Sequence, residues 1–170
     1  MQKYTINISC NGQTRKLVMA RATDESERHL AMKLLAYLLY FDREPTVELS
    51  VGQHYKPDLA LVDGRDVTLW VDCGVVGPHK LDRITTSNRK AEIVVVKADR
   101  RSARACREVA DRRVRRPERI GIIAFDDGFV ENVATALSTR TELVATTQRE
   151  PARMRIEING RTFESHVHNV

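Results

Sequence analysis

The sequence predicts a mixed α/β (α+β) fold, in which helices flank a central β-sheet and β-hairpins lie at both ends of the chain. Three observations predict this class: apolar runs of strand length, Asn-Gly and Asp-Gly turn signals, and amphipathic stretches of helical period. No repeat, low-complexity tract or linker interrupts these elements. We therefore expect a single domain over residues 1–170.

The first half of the chain predicts a hairpin, a helix and three strands. Asn11-Gly12 separates TINISC from RKLVMA, which is a strong signal for two antiparallel strands. Thr23 or Asp24 is then expected to cap a helix over ESERHLAMKLLAYLLYF. The apolar runs TVELSV, DLALV and VTLWVD predict strands, and Asp63-Gly64 joins the last two as a second hairpin.

The second half predicts alternating helices and strands, followed by a closing hairpin. HKLDRITTSNRK is a short polar helix and AEIVVVK a buried strand. In the arginine-rich segment, Cys106, Val109 and Ala110 form an apolar helix face, and Pro117 stops the helix. RIGIIAF predicts a strand and FVENVATALS a helix, and the closing strands ELVATTQ and MRIEING are separated by Pro151.

The composition indicates a globular protein of the cytoplasm. The apolar share is 42% and the charged share 30%, and no stretch approaches the roughly 20 apolar residues of a membrane span. The segment MQKYTINISC lacks the pattern of a signal peptide. Three cysteines without metal-binding spacing predict reduced thiols.

The charge distribution suggests a polyanionic partner. The net charge is +5, and nine arginines lie between residues 100 and 119. Arg100, Arg104 and Arg107 form a basic helix face that suits the backbone of DNA or RNA. The alternative is a solvated face in an arginine-rich protein.

Three acidic residues lie where solubility does not require them. Asp58 opens the strand DLALV, and Asp72 ends the strand that returns beside it. Glu27 lies in the first turn of the predicted helix, on the stripe that continues through Ala31 and Leu34. Oxygen ligands from separate elements at one sheet edge suit Mg²⁺ or Mn²⁺.

Each of these residues has a structural alternative. Glu27 could satisfy backbone amides in a capping box. Asp58 could pair with Lys56 or an arginine, and Asp72 could belong to a buried ion pair. Lys80 could be solvated.

Whether Asp58 and Asp72 share a face depends on the hairpin that joins their strands. A three-residue loop at 63–65 places them on the same side of the sheet. A two-residue loop at 64–65 places them on opposite sides unless a bulge intervenes. The residues leave this register open.

Two stretches of the chain resemble known families. KPDLALVDGRDVTLWVDCG followed by HKLDRI resembles the PD-(D/E)xK pattern of restriction-endonuclease-like proteins. DESERHLAMKLLAYLL, LWVDCG and AEIVVVK are more closely similar to the YaeQ family, small bacterial proteins with a variant of that nuclease fold. The likeness in element order covers most of the chain, and the motif-level similarity spans about residues 23–97.

The resemblance implies roles for the acidic residues. Glu27 would be the helix acid, Asp58 the first aspartate of the motif and Asp72 its second carboxylate. These groups, with the backbone carbonyl of Cys73, would bind Mg²⁺ or Mn²⁺. Such an ion activates water and neutralises charge on a phosphoryl group.

One position departs from the nuclease pattern. Gly74 stands where the motif has a lysine. In YaeQ-like proteins this basic role moves to the following helix, which implies Lys80 or, one turn later, Arg83. An arginine would stabilise charge on a phosphoryl group but would hardly deprotonate water.

These residues suggest three functions. The first is a divalent-metal-dependent nuclease or related phosphodiesterase. The second, an alternative to catalysis, is a non-catalytic nucleic-acid or transcription-associated binding module. The third is a buried ion-pair cluster in a protein that acts through another protein.

Overall fold

The computed structural model describes residues 1–150 and 152–170, which form ten strands and four α-helices. The strands are β1 (Gln2–Cys10), β2 (Gln13–Arg21), β3 (Thr46–Val47), β4 (Leu59–Asp63), β5 (Asp66–Cys73), β6 (Glu92–Lys97), β7 (Ile120–Phe125), β8 (Arg140–Arg149), β9 (Ala152–Ile158) and β10 (Arg161–Asn169). The helices are α1 (Glu27–Leu39), α2 (Pro78–Ser87), α3 (Arg100–Arg113) and α4 (Phe129–Ala136). Pro151, expected between the closing strands, lies outside the described residues.

The strands form one mixed sheet in the order β2-β1-β8-β9-β10-β7-β6-β5-β4-β3. Strand β10 joins two halves of this sheet, because residues 161–166 pair with β9 and residues 167–169 with β7. Strands β5, β6 and β7 are parallel neighbours, so their carboxyl ends lie at the same edge. The predicted mixed sheet flanked by helices is confirmed.

Two apolar layers cover the faces of β5, β6 and β7. Alternate residues Val94 and Val96 of β6 pack with helices α1 and α4, whereas Ile93 and Val95 pack with α2 and α3. Every residue of α1 from Leu30 to Leu38 is buried, because this helix lies against both halves of the sheet. Such a helix has no polar face to orient it.

Several local predictions are confirmed and others are wrong. Asn11 and Gly12 form the predicted turn, with φ angles of 50° and 82°. The cap of α1 is Ser26, whose hydroxyl accepts a hydrogen bond from the His29 amide, and not Thr23 or Asp24. TVELSV contributes only the two residues of β3, because its chain turns at once.

Two corrections concern the second half of the chain. Val109 is 39% exposed, and the buried face of α3 consists of Ala103, Cys106 and Ala110. Strand β10 was missed, although Asn159-Gly160 before it forms the same kind of turn as the first hairpin. No helix within the described residues is long and apolar enough to cross a membrane.

The junction in β10 is fixed by a carboxylate between two imidazoles. Asp126 Oδ1 lies 2.6 Å from His168 Nε2, and Asp126 Oδ2 lies 3.0 Å from both His166 Nδ1 and the His166 amide nitrogen. Burial opposes ionisation, yet these bonds outweigh it and lower the pKa of Asp126 to about 2. The ionised carboxylate therefore stabilises the junction.

We predict that Asp126→Asn destabilises the protein at neutral pH by about 1 kcal/mol, since the carboxylate is partly exposed and screened. The lowered pKa means that this contribution is present above about pH 4 and disappears as the pH falls through about 2. Urea unfolding of both proteins from pH 7 to pH 2 measures the difference. A difference that does not shrink at low pH would contradict the assignment.

Candidate functional site

The end of β5 and the residue before β4 border a cavity of about 420 Å³. Asp58, Asp72, Cys73 and Lys80 all line it, so the structure brings together four of the residues that the sequence singled out. Gly74 lines it too. The site lies at the edge where the parallel strands β5 and β6 end.

A β-bulge sets the register of the two aspartates. The turn at residues 64–65 has two residues, but the pairing of β4 with β5 shifts between Leu61 and Val62. Beyond the shift Leu59 lies opposite Val71, and the Asp58 amide just before β4 donates a 2.9 Å hydrogen bond to the Val71 carbonyl. The two-residue turn is thus accompanied by a bulge, and the two aspartates meet in one cavity at the edge of the sheet.

Asp58 is held by groups from α1 and β5. Its Oδ2 accepts a 2.7 Å hydrogen bond from the Cys73 amide and lies 3.3 Å from His29 Nε2. Burial alone raises the pKa of Asp58, but these bonds outweigh burial and lower it. The hydrogen bond with Asp58 raises the pKa of His29.

Asp72 is held by groups from α2 and β5. Its Oδ2 lies 3.0 Å from Lys80 Nζ of α2 and accepts a 3.0 Å hydrogen bond from Trp70 Nε1. Burial raises the pKa of Asp72, although Lys80 and Trp70 oppose this shift. Two neighbouring carboxyl groups with opposite pKa shifts are typical of functional sites.

The contacts leave room for a ligand on both carboxylates. Within the described residues, every hydrogen bond and ion pair of the Asp58 and Asp72 carboxylates involves the Oδ2 atom. Each Oδ1 thus stays available to a ligand in the cavity. No group of three or more His, Cys, Asp or Glu side chains in the described part of the chain is arranged to hold a metal ion.

Glu27 is not part of this arrangement. Its side chain is exposed and does not line the cavity, so the prediction that it follows the buried stripe is wrong. Glu25, just before the helix cap, takes the inward position instead. Its Oε1 lies 2.9 Å from His29 Nδ1 and 2.5 Å from Lys33 Nζ.

Sequence reasoning missed Glu25, His29 and Lys33. They are four residues apart, a spacing that places side chains on one side of a helix. This spacing was the signal that could have found them. Lys97 was also missed: its Nζ donates a 2.6 Å hydrogen bond to the Gly74 carbonyl and fixes the chain after β5.

The two candidates for the displaced basic residue differ in position. Lys80 contacts Asp72 and lines the cavity, whereas Arg83 is exposed and does not line it.

Burial raises the pKa of the Cys73 thiol well above its ordinary value, so this sulfur is a poor nucleophile. Cys10, Cys73 and Cys106 are all buried and unpaired with one another.

The arginines of α3 do not form one uniform surface. Arg100 and Arg104 are exposed. Arg107 is half-buried and donates hydrogen bonds to the carbonyls of Pro117 and Ile120, so it fixes the chain after the helix. Because α3 begins three residues after β6 ends, Arg100 lies near the edge that carries the site.

Fold and site together define a mixed α/β protein that gathers carboxylates and a lysine at the sheet edge where β4 begins and the parallel strands β5 and β6 end. The sequence model of the family described as YaeQ protein matches residues 9–166. The chain belongs to the YaeQ family.

Solved YaeQ structures have the same fold. The YaeQ protein from Xanthomonas axonopodis pv. citri is 16% identical, with a TM-score of 0.83 over 99% of this chain and 97% of that chain. The YaeQ protein from Pseudomonas syringae is 15% identical, with a TM-score of 0.82 over 99% of this chain and 95% of that one. No curated protein matches the sequence.

We predict that the motif lysine cannot be restored at Gly74 without loss of stability. A Cβ there would lie 3.5 Å from Met32 Cε, an ordinary contact, but the φ angle of +80° is left-handed. Gly74→Lys and Gly74→Ala should each cost about 1–2 kcal/mol in urea unfolding. Gly121→Ala, at a strand position without left-handed φ, is the matched control. Wild-type stability of Gly74→Lys would contradict this reasoning.

Proposed function

We propose that this YaeQ-family protein is a divalent-metal-dependent phosphodiesterase that acts on nucleic acid. The observation that carries the proposal is the meeting of Asp58, Asp72 and Lys80 in one cavity at the strand ends. Two carboxylates beside a lysine are the groups that such hydrolysis requires. The resemblance to the PD-(D/E)xK pattern supports the same reaction class.

The donor set fits Mg²⁺ or Mn²⁺. Mg²⁺ is usually bound by one or two carboxylates together with waters and substrate phosphates, so a group of three protein side chains is not required. Asp58 and Asp72 would hold the ion through their Oδ1 atoms, with the Cys73 carbonyl as a further oxygen. When bound, the ion would activate water and neutralise charge at phosphorus.

The chain's own residues would do the rest. The ammonium group of Lys80, held 3.0 Å from Asp72 Oδ2, would orient the attacking water and stabilise charge on the phosphoryl oxygens. His29 and the Cys73 amide would keep Asp58 ionised and oriented. Lys56 is an exposed cation at the cavity rim, where it would bind a flanking phosphate.

A second candidate function is a nucleic-acid-binding module without turnover. Gly74 favours this candidate, because it stands where the nuclease motif has a lysine. The left-handed φ angle of 80° at Gly74 disfavours a lysine there. Binding of nucleic acid without metal-dependent cleavage would support this candidate.

Asp72→Asn should lower metal-dependent cleavage roughly 100-fold, because about 3 kcal/mol of charge stabilisation is lost. Labelled DNA and RNA, single- and double-stranded, are incubated with Mg²⁺ or Mn²⁺. Asp66→Asn removes an exposed carboxylate that pairs only with Lys90 within the described residues, and serves as the control. Lys80→Met should lose cleavage activity, because Lys80 contacts Asp72 in the cavity. Arg83→Met should keep it, because Arg83 does not line the cavity. Absence of cleavage by the wild type, or unchanged cleavage by Asp72→Asn, would remove the nuclease proposal.

The exposed arginines of α3 generate a separate prediction. Arg100→Glu with Arg104→Glu should weaken nucleic-acid binding, and should flatten the slope of log affinity against log salt by about 0.7–0.9 for each lost phosphate contact. Fluorescence anisotropy in EDTA measures this without cleavage. The exposed residue Arg161 on β10 provides the control variant Arg161→Glu. An unchanged slope would exclude these arginines from the interface.

A further inference from the structure

Helix α1 carries a buried ammonium group beside the site. The Lys33 side chain is 1% exposed, and its Nζ lies 2.5 Å from Glu25 Oε1 and 2.7 Å from Glu48 Oε1. Glu25 and Glu48 both oppose the cost of burying the Lys33 ammonium, and the pKa of Lys33 is raised although burial alone would lower it. A fully buried lysine is rare and costly to desolvate.

Both partners of Lys33 lead to Asp58. By the first route, Glu25 contacts His29 Nδ1, and His29 Nε2 contacts the Asp58 carboxylate. By the second, the Glu48 amide donates a 2.7 Å hydrogen bond to the Asp58 carbonyl. Lys33 therefore links groups that hold both the side chain and the backbone of Asp58.

The second route includes a strained residue. Glu48 has a φ angle of +53°, a left-handed conformation that is uncommon for residues other than glycine. Such residues persist where surrounding contacts hold them, and they cluster at functional sites. Here the contacts are the ion pair with Lys33 and the hydrogen bond to Asp58.

We propose that Lys33 is a positioning residue that fixes Asp58 at the cavity in the orientation that binds a divalent cation. This rests on the proposed function. Fold stability alone does not account for the lysine, because apolar side chains often replace buried ion pairs without loss of stability. Methionine has a similar length and would pack in the same apolar surroundings.

Mn²⁺ alone is the probe for the experiment. Isothermal titration should show Mn²⁺ affinity lowered about 10- to 100-fold in Lys33→Met, the range for loss of residues that orient metal ligands. Lys90→Met removes an exposed lysine that also pairs with a carboxylate, and should keep wild-type affinity. Wild-type Mn²⁺ affinity in folded Lys33→Met would overturn the proposal.

A second readout separates this proposal from the proposed function. Hydrogen exchange of the Cys73 and Glu48 amides, which donate to Asp58, should be faster in Lys33→Met and unchanged in Lys90→Met. If wild-type protein does not bind Mn²⁺, the proposed function fails, yet faster exchange would still support positioning. Unchanged exchange would overturn it.

The variant could fail to fold because two carboxylates lose their partner. The combined variant Lys33→Met, Glu25→Gln, Glu48→Gln then replaces it, since it carries no uncompensated charge at these positions. The same decrease in Mn²⁺ affinity is expected for it. Wild-type affinity and exchange in this variant would overturn the proposal.

Discussion

The hydrogen bond from the Cys73 amide to Asp58 Oδ2 is the contact on which the site depends. It joins the residue before β4 to the end of β5, and His29 of α1 meets the same oxygen atom. The pairing of β4 with β5 shifts between Leu61 and Val62, and beyond that shift Leu59 lies opposite Val71, one residue from Asp58. A short hairpin and a buried helix thus meet at one carboxylate oxygen beside the cavity.

The two carboxylates share a cavity but not an environment. Asp58 is near an imidazole and a backbone amide, which favour its ionised form; Asp72 lies deeper, and burial raises its pKa despite Lys80. Ion pairs of this kind contribute little to stability once desolvation is counted. A need to hold the fold together therefore does not by itself explain why they are concentrated beside a cavity.

Strand patterns and turn signals predicted the helices and strands that are determined by residues close to one another in the sequence. Asp72 and Lys80 were placed correctly because a buried strand ends at one and a polar helix begins near the other. Glu27 was misplaced because residues 30–38 of α1 are buried on all sides, so hydrophobic period could not orient the exposed first turn. The bulge in β4 has no local signal. For the hairpin before β10, however, Asn159-Gly160 was a signal that could have been used.

The burial of α1 also bears on a polar stripe formed by Glu25, just before the helix, and by His29 and Lys33 within it. A charged side chain within the buried residues 30–38 of this helix cannot reach solvent through the surrounding core, so it must meet a partner inside the protein. Glu25, His29 and Lys33 satisfy this requirement in succession, and the stripe opens at the cavity through His29. Apolar side chains often replace buried ion pairs without loss of stability. Stability alone therefore does not explain why these three residues are polar. Their line of contacts ends at the Asp58 carboxylate, which His29 contacts.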